Sequence, residues 1–223
     1  MKTLDFLKLL TEDIHSVVIA TLGTTGRPET RVIDMMLYDT QGLYFLTARG
    51  KSFYAQLIAQ GFVSLSGTDG KRAVRVDGKV RSIGQQRLEE IFCRNPYMEE
   101  IYPPGTRDVL EVFHLFSGSG EYFDLSCPAK IVRESFAIGE AAARTHGYSI
   151  GSACTGCGFC LPACPQSAIL RAPSGKVRID ASHCLSCGRC ATLCPSHAIS
   201  RDTTVIAAEE TNSHESDERR HSS

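Results

Sequence analysis

"CTGCGFCLPACP" occupies residues 154–165, and "CLSCGRCATLCP" occupies residues 184–195. Both read C-x2-C-x2-C-x3-C-P, the run that binds a [4Fe–4S] cubane. The spacing has a physical reason. A cube of iron and sulfide presents four iron corners, and a tight loop supplies three thiolates at steps of three residues. The candidate ligands are therefore Cys154, Cys157, Cys160 and Cys164 in the first run, and Cys184, Cys187, Cys190 and Cys194 in the second. Gly156, Gly158 and Gly188 let the loops wrap closely, because glycine tolerates positive φ. Pro165 and Pro195 fix the chain direction as it leaves each loop.

The two runs lie thirty residues apart, and the match extends beyond them: Gly158 with Gly188, and Ala168-Ile169 with Ala198-Ile199. Such a repeat predicts two pseudo-symmetric units, each closing the other's core. Zinc sites favour two separated cysteine pairs. Here three cysteines fall within one seven-residue loop, twice. A disulfide framework fits less well still, because Asp5 and Lys8 interrupt the apolar stretch near Met1 and no secretory signal is expected. Ten cysteines without such a signal predict the reducing cytoplasm. The formal net charge of −1 gives no electrostatic case for nucleic acid. No apolar run approaches the ~20 residues of a membrane span.

This third of the chain resembles a bacterial two-cluster ferredoxin. In such domains the fourth cysteine of each run ligates the other cluster. The resemblance implies that Cys154, Cys157, Cys160 and Cys194 hold one cubane, and Cys184, Cys187, Cys190 and Cys164 the other.

The first half has a different texture. Leu4, Leu7, Leu10 and Ile14 predict an amphipathic helix over 3–14. Ser16 to Leu22, Glu29 to Tyr38, Leu43 to Thr47, Phe62 to Ser66 and Ala73 to Ile83 read as strands separated by turns. Lys51 to Gln60 and residues 85–94 read as helices. Val109 to Phe116 and Glu121 to Leu125 predict a last hairpin across Ser117-Gly118-Ser119-Gly120. The expected fold is α+β: an antiparallel, six- to seven-stranded β-barrel followed by a small α+β domain with two iron–sulfur clusters.

Residues 13–83 resemble the FMN-binding split barrel of the pyridoxamine 5′-phosphate oxidase-like superfamily. The carrying segments are "HSVVIATLGTTGRPETRVIDMMLYDTQGLYFLTARGKSFYAQLIAQGFVSLSG" and "VRVDGKV". Lys51, Tyr54, Gln56 and Leu57 also fit a Lys-x-x-Tyr-x-Gln-Leu signature of anaerobe proteins that fuse this barrel to a ferredoxin. The resemblance implies a homodimer with FMN between two barrels. It places Arg31, Val32 and Ile33 along the flavin, Thr47 at its ring or phosphate edge, and Lys51 and Ser52 on the phosphate. A helix N-terminus with an adjacent lysine suits that anion. The chain departs from the oxidase pattern at Ser52-Phe53, where an Arg-Lys pair is usual, at Ala73, where a Gln is usual, and in having no Trp. Pyridoxamine phosphate oxidation is therefore not the expected activity.

The expected domains are residues 1–125 (barrel), 126–147 (a linker docking on the barrel through Phe136 and Ile138), 148–206 (ferredoxin) and 207–223 (a disordered tail holding His214 and His221). His114 is expected in the core or at its rim, with a proton-donor role as the alternative. Cys93 and Cys127 read as buried small apolar residues, and Asp34 as outward-facing or structural. No catalytic residue is singled out. The expected function is a flavin/iron–sulfur oxidoreductase that couples two-electron FMN chemistry to one-electron transfer through two clusters. Its counterpart would be a redox partner protein or a small-molecule donor or acceptor. The alternative is a non-catalytic electron carrier whose barrel serves for dimerisation or holds deazaflavin or haem.

Overall fold

The computed structural model describes residues 2–144, 147–202 and 205–206. The expected tail, with His214 and His221, lies outside the described residues. Helix α1 (Thr3–Lys8) runs into a π-helical turn over Leu9–Ile14, closed by the His15 N–H donating to the Leu10 carbonyl at 3.0 Å. One helix was expected over this span. Its apolar face is buried through Phe6, Leu7, Leu9 and Leu10.

Eight antiparallel strands follow: β1 (Ser16–Leu22), β2 (Pro28–Asp34), β3 (Leu37–Asp39), β4 (Gly42–Ala48), β5 (Phe62–Thr68), β6 (Arg72–Ser82), β7 (Leu110–Asp124) and β8 (Val132–Ile138). Their order is β2-β1-β5-β6-β7-β4-β3, with β8 also paired to β7. Strand β7 holds the architecture together. One edge pairs with β6 throughout most of its length, while the other pairs first with β4, at Leu110–Leu115, and then with β8, at Gly118–Asp124. The register slips by one residue at Lys79/Val80, where Phe116 is the extra residue of a bulge. The sheet curls there around one core: Phe6, Ile19, Met35, Phe45, Phe53, Val76, Phe113, Tyr122 and Phe136.

The hairpin expected at 117–120 does not form, and β7 continues through it. The glycines there serve close approach, not turning. A Cβ on Gly118 would meet the Asp77 carbonyl oxygen at 2.8 Å, and one on Gly120 would sit 2.1 Å from the Phe136 ring. The strand expected over 29–38 is broken into β2 and β3 at Met35-Met36, and both methionines are buried.

Helix α2 (Ser52–Gln60) caps one end of the barrel through Phe53 and Leu57 and stops at Gly61, which takes φ 58°. Helices α3 (Leu88–Arg94) and α4 (Met98–Ile101) cover a second apolar layer formed by Leu37, Tyr44, Leu46, Ile91, Phe92 and Val112.

The C-terminal unit consists of short antiparallel pairs: β9 (Ala143–Arg144) with β14 (Val205–Ile206), β10 (Gly147–Ile150) with β13 (Ile199–Asp202), and β11 (Ile169–Arg171) with β12 (Val177–Ile179). The short helix α5 (Arg189–Thr192) follows the second cysteine loop. The thirty-residue repeat is visible in the backbone. Gly158 and Gly188 take φ 83° and 77°, Gly156 and Ser186 take 74° and 54°, and Ser167 and His197 take 50° and 48°. The small core comprises Cys160, Ile169, Val177, Cys190 and Ile199. Among the described residues no helix is long and apolar enough to cross a membrane.

Candidate functional site

The cysteine loops fold so that thiols from the two runs mix. Burial pushes the Cys160 thiol up, and Cys157, Cys154 and Cys194 add to the shift as neighbouring charges. Cys194 of the second run thus stands with the first three. Burial also raises Cys190, with Cys184 and Cys187 beside it. Cys164 of the first run joins these three around a small cavity of about 20 Å³. Tyr148, Ile169, Ile179 and Leu185 complete its wall.

Backbone N–H groups point at sulfur in matching places. Ala168 donates to Cys164 Sγ, Ala198 to Cys194 Sγ and Ser186 to Cys184 Sγ, each at 3.3 Å. Cys194 is held below the usual thiol range by the Ser196 hydroxyl and then by the Ala198 N–H. Two groups of four thiols with N–H donors to sulfur suit [4Fe–4S] clusters, the ligation that the two C-x2-C-x2-C-x3-C-P runs specify.

The second group of candidates lies on β2 (Arg31, Val32 and Ile33), near the end of β4 (Thr47) and at the start of α2 (Lys51 and Ser52). Lys51 is the N-cap of α2 and is exposed, and its side chain makes no hydrogen bond or ion pair among the described residues. Ser52 beside it is also exposed, and the first N–H groups of the helix have no upstream carbonyl partner. Thr47 is 2% exposed, and its Oγ1 is buried without a hydrogen-bond partner. An exposed cation beside free amides at a helix N-terminus suits a phosphate ester, whereas Thr47 Oγ1 is sealed beneath the surface.

Arg31 is committed elsewhere. Its guanidinium donates to Thr21 Oγ1 and to Gln56 Oε1 (3.0 Å) and lies 4.5 Å from the centre of the Phe53 ring. Burial lowers its pKa, and Glu29 counteracts the shift. Arg31 therefore locks β2 onto the first turns of α2. Ile33 packs on the core, whereas Val32 is 65% exposed on the opposite face and pairs with Val18 across the β1–β2 ladder.

Sequence reasoning missed the supports of this corner. Glu111, opposite Thr47 in the β4–β7 ladder, accepts from the Ser82 hydroxyl (2.7 Å) and the Tyr54 hydroxyl (3.1 Å) and faces Arg49 at 3.6 Å. Gln56, buried beneath Arg31, was legible only as part of the Lys-x-x-Tyr-x-Gln-Leu signature.

His114 is buried, stacked on Tyr44 at 4.4 Å, and its Nε2 meets the Gln41 carbonyl at 2.9 Å. Burial lowers its pKa. Asp34 accepts from Tyr97 Oη at 2.7 Å, which itself lies 3.0 Å from His15 Nε2. The reading of Cys93 and Cys127 as buried is corrected: both are exposed. Cys93 lies on the outer side of α3, whose buried side is formed by Leu88, Ile91 and Phe92, and Cys127 sits in the turn before β8.

Comparison with known families gives two matches. Residues 153–198 match the 4Fe–4S dicluster domain, and residues 4–115 match the pyridoxamine 5′-phosphate oxidase model. The second spans half of the chain. The chain belongs to the pyridoxamine 5′-phosphate oxidase family.

Two curated pyridoxine/pyridoxamine 5′-phosphate oxidases are similar to it. The one from Mannheimia succiniciproducens is 33% identical over 85 residues, covering 37% of this chain and 40% of that protein. The one from Paracidovorax citrulli is 29% identical over 84 residues, covering 37% of each. The chain thus spans about two fifths of the length of the curated relatives it matches. Among solved structures, a NimC/NimA family protein from Clostridium acetobutylicum is similar at a TM-score of 0.49 and 21% identity, covering 60% of this chain and 89% of that one. A pyridoxamine 5′-phosphate oxidase-related, FMN-binding protein from Nostoc punctiforme has a TM-score of 0.44 and 15% identity, covering 60% of this chain and 94% of that one. The oxidase match covers β1–β6 and the start of β7, and the dicluster match covers all eight cysteines of the two runs.

Proposed function

We propose that the protein is a flavin/iron–sulfur oxidoreductase that couples two-electron chemistry at FMN to one-electron transfer through two [4Fe–4S] clusters. The observation that carries this reading is the direct joining of the two units. Ile131, at the entry to β8, donates its N–H to Gln166 Oε1 at 3.0 Å and offers its carbonyl to His183 Nδ1 at 2.6 Å. Gln166 and His183 lie within two residues of Cys164 and Cys184. The seam places the barrel's β8 entry beside two cluster-ligand loops, as electron passage between the units would require.

FMN supplies exchange of two electrons, singly or as hydride, and a cubane supplies exchange of one. The chain's own residues bind, orient and shield. Lys51, Ser52 and the first amides of α2 would hold the phosphate. Arg31 positions that helix through Thr21, Gln56 and Phe53. Ile33 presents an apolar edge. Cys154, Cys157, Cys160 and Cys194 would hold one cluster, and Cys164, Cys184, Cys187 and Cys190 the other.

We further propose that the barrel works as a homodimer. Val18, Leu22, Val32 and Phe62 form an exposed apolar stripe over β1, β2 and β5, and Val32 would thereby meet both the flavin edge and the second copy. Pyridoxamine phosphate oxidation is not part of the proposal, and the cytoplasm is the proposed location. The visible spectrum of anaerobically reconstituted protein tests the reading. Flavin bands together with a broad cluster band support it. Cluster absorption alone, after incubation with FMN, would favour the carrier with an empty barrel.

A further inference from the structure

We propose that Arg133 is the residue through which the barrel sets the reduction potential of one cluster, the one held by Cys164, Cys184, Cys187 and Cys190. This rests on the iron–sulfur reading of the two cysteine runs and is independent of what the barrel binds.

The two runs are near-copies, yet one position differs in a telling way. Gly156 stands two residues after Cys154 at φ 74°, and the equivalent position after Cys184 is Ser186, at φ 54°. A serine in this left-handed region is strained where glycine is not. Its N–H nevertheless donates to Cys184 Sγ at 3.3 Å, so the strained geometry aims a dipole at a ligand sulfur. Arg133 holds it there. Arg133 lies on β8, opposite Phe123 of β7, and its guanidinium donates to Ser186 Oγ and to the Cys184 carbonyl at 3.3 Å. Its Nε pairs with Glu121 of β7, and the side chain is 13% exposed. The barrel thus delivers a half-buried cation, backed by a carboxylate, onto a cysteine-ligand loop. The neighbouring contacts converge on the same place. Gln166 bridges Ile131 and Pro128, and His183 meets Ile131, so the seam flanks Cys164 and Cys184, two thiols of one group.

The consequence follows from charge. Reduction adds one negative charge to a cubane, and a nearby cation with N–H···S donors stabilises the reduced form and raises the potential. Glu121 opposes the cation in part. The cluster beside Arg133 should therefore be easier to reduce than it would be without that cation, and Arg171, which donates to the Gly156 carbonyl at 3.1 Å, places a cation on the other cysteine loop as well.

The test is an EPR-monitored potentiometric titration of the full-length protein, reconstituted anaerobically with iron and sulfide. Cys157→Ala and Cys187→Ala backgrounds, each leaving one cluster, assign the signals. Arg133→Gln should shift the reduced-to-oxidised ratio of the cluster at Cys184, Cys187, Cys190 and Cys164 toward oxidised. At fixed potential the shift should be roughly three- to tenfold, tenfold being about 59 mV for one electron. Arg133→Lys should shift it less. Glu121→Gln should shift it the other way. The other cluster should not move in any of the three. A merely structural role for Arg133 would not give opposite signs for Arg133 and Glu121. Equal shifts in both clusters, no shift in either, or the same sign for both variants would overturn the inference. If Arg133→Gln fails to load iron, Glu121→Gln decides alone, and no rise in potential overturns the inference. Tightly bound zinc without labile sulfide in the unsubstituted protein would overturn the iron–sulfur reading itself and this inference with it.

Discussion

Lys51 shows how much a single side chain can carry. It is a cation at a helix N-terminus with no partner among the described residues, and a phosphate would supply one. Losing a charge-assisted hydrogen bond costs about 1.5–3 kcal/mol. Lys51→Ala should then weaken FMN binding on the order of tenfold to a hundredfold, measured by fluorescence titration. Riboflavin, which lacks the phosphate, should lose far less. Equal losses for both ligands would show that Lys51 acts on the fold. Lys51 could be read from sequence because its helix start is local. Arg31 was visible as a charge, but its bonds to Thr21 and Gln56 span 10 and 25 residues and no spacing announces them. Arg133 was invisible for the same reason, its Ser186 partner lying 53 residues away. Cys93 and Cys127 were misread because cysteine is buried on average, and an average says nothing about which side of a seven-residue helix Cys93 takes or that Cys127 falls in an exposed turn.

At the scale of elements, β7 and β8 are where pattern reading met its limit. Ser117-Gly118-Ser119-Gly120 has turn composition, and only the partner strands reveal that its glycines make room. Gly120→Ala should destabilise the barrel by about 1–3 kcal/mol, because its Cβ falls inside the Phe136 ring. In a Phe136→Leu background the penalty should shrink, and chemical denaturation of the four variants gives the coupling. An unchanged penalty would mean that strand geometry, not Phe136, demands the glycine.

The β5–β6 turn was legible from Thr68-Asp69-Gly70, and its titration follows from structure. The backbone N–H of Arg72, then that of Lys71, and the Arg72 side chain hold the Asp69 carboxyl down to about 2, against an ordinary 3.8. A depressed folded-state pKa stabilises above the unfolded value and is lost as pH falls. Asp69→Asn should therefore lower the urea midpoint at pH 6, and the difference should fade between pH 4 and pH 2. A difference that persists undiminished at pH 2 would assign the effect to something other than the carboxylate.

For the whole molecule, the sequence separated a barrel and a dicluster domain but not the way they join. The cysteine runs announce themselves because metal ligation fixes spacing. The barrel announces itself through alternation and a family signature. Residues 126–147 have neither, yet they contain β8, whose Phe136 and Ile138 are 4% and 2% exposed. A fragment of residues 1–142 should fold cooperatively, whereas residues 1–125 should lose about 3–6 kcal/mol from those two side chains alone. Equal urea midpoints for the two fragments would show that β8 is dispensable. The same strand carries Arg133 and follows Ile131, so the segment that completes the barrel also holds the ferredoxin unit. If the proposed flavin site and the clusters act as one device, electrons pass between them within one molecule or dimer. Rapid mixing of reduced, fully loaded protein with an oxidant, followed at the cluster and flavin bands, decides this. Both bands should change with one shared rate constant, unaltered by protein concentration. Bands that change independently, or only at a rate that rises with protein concentration, would contradict it.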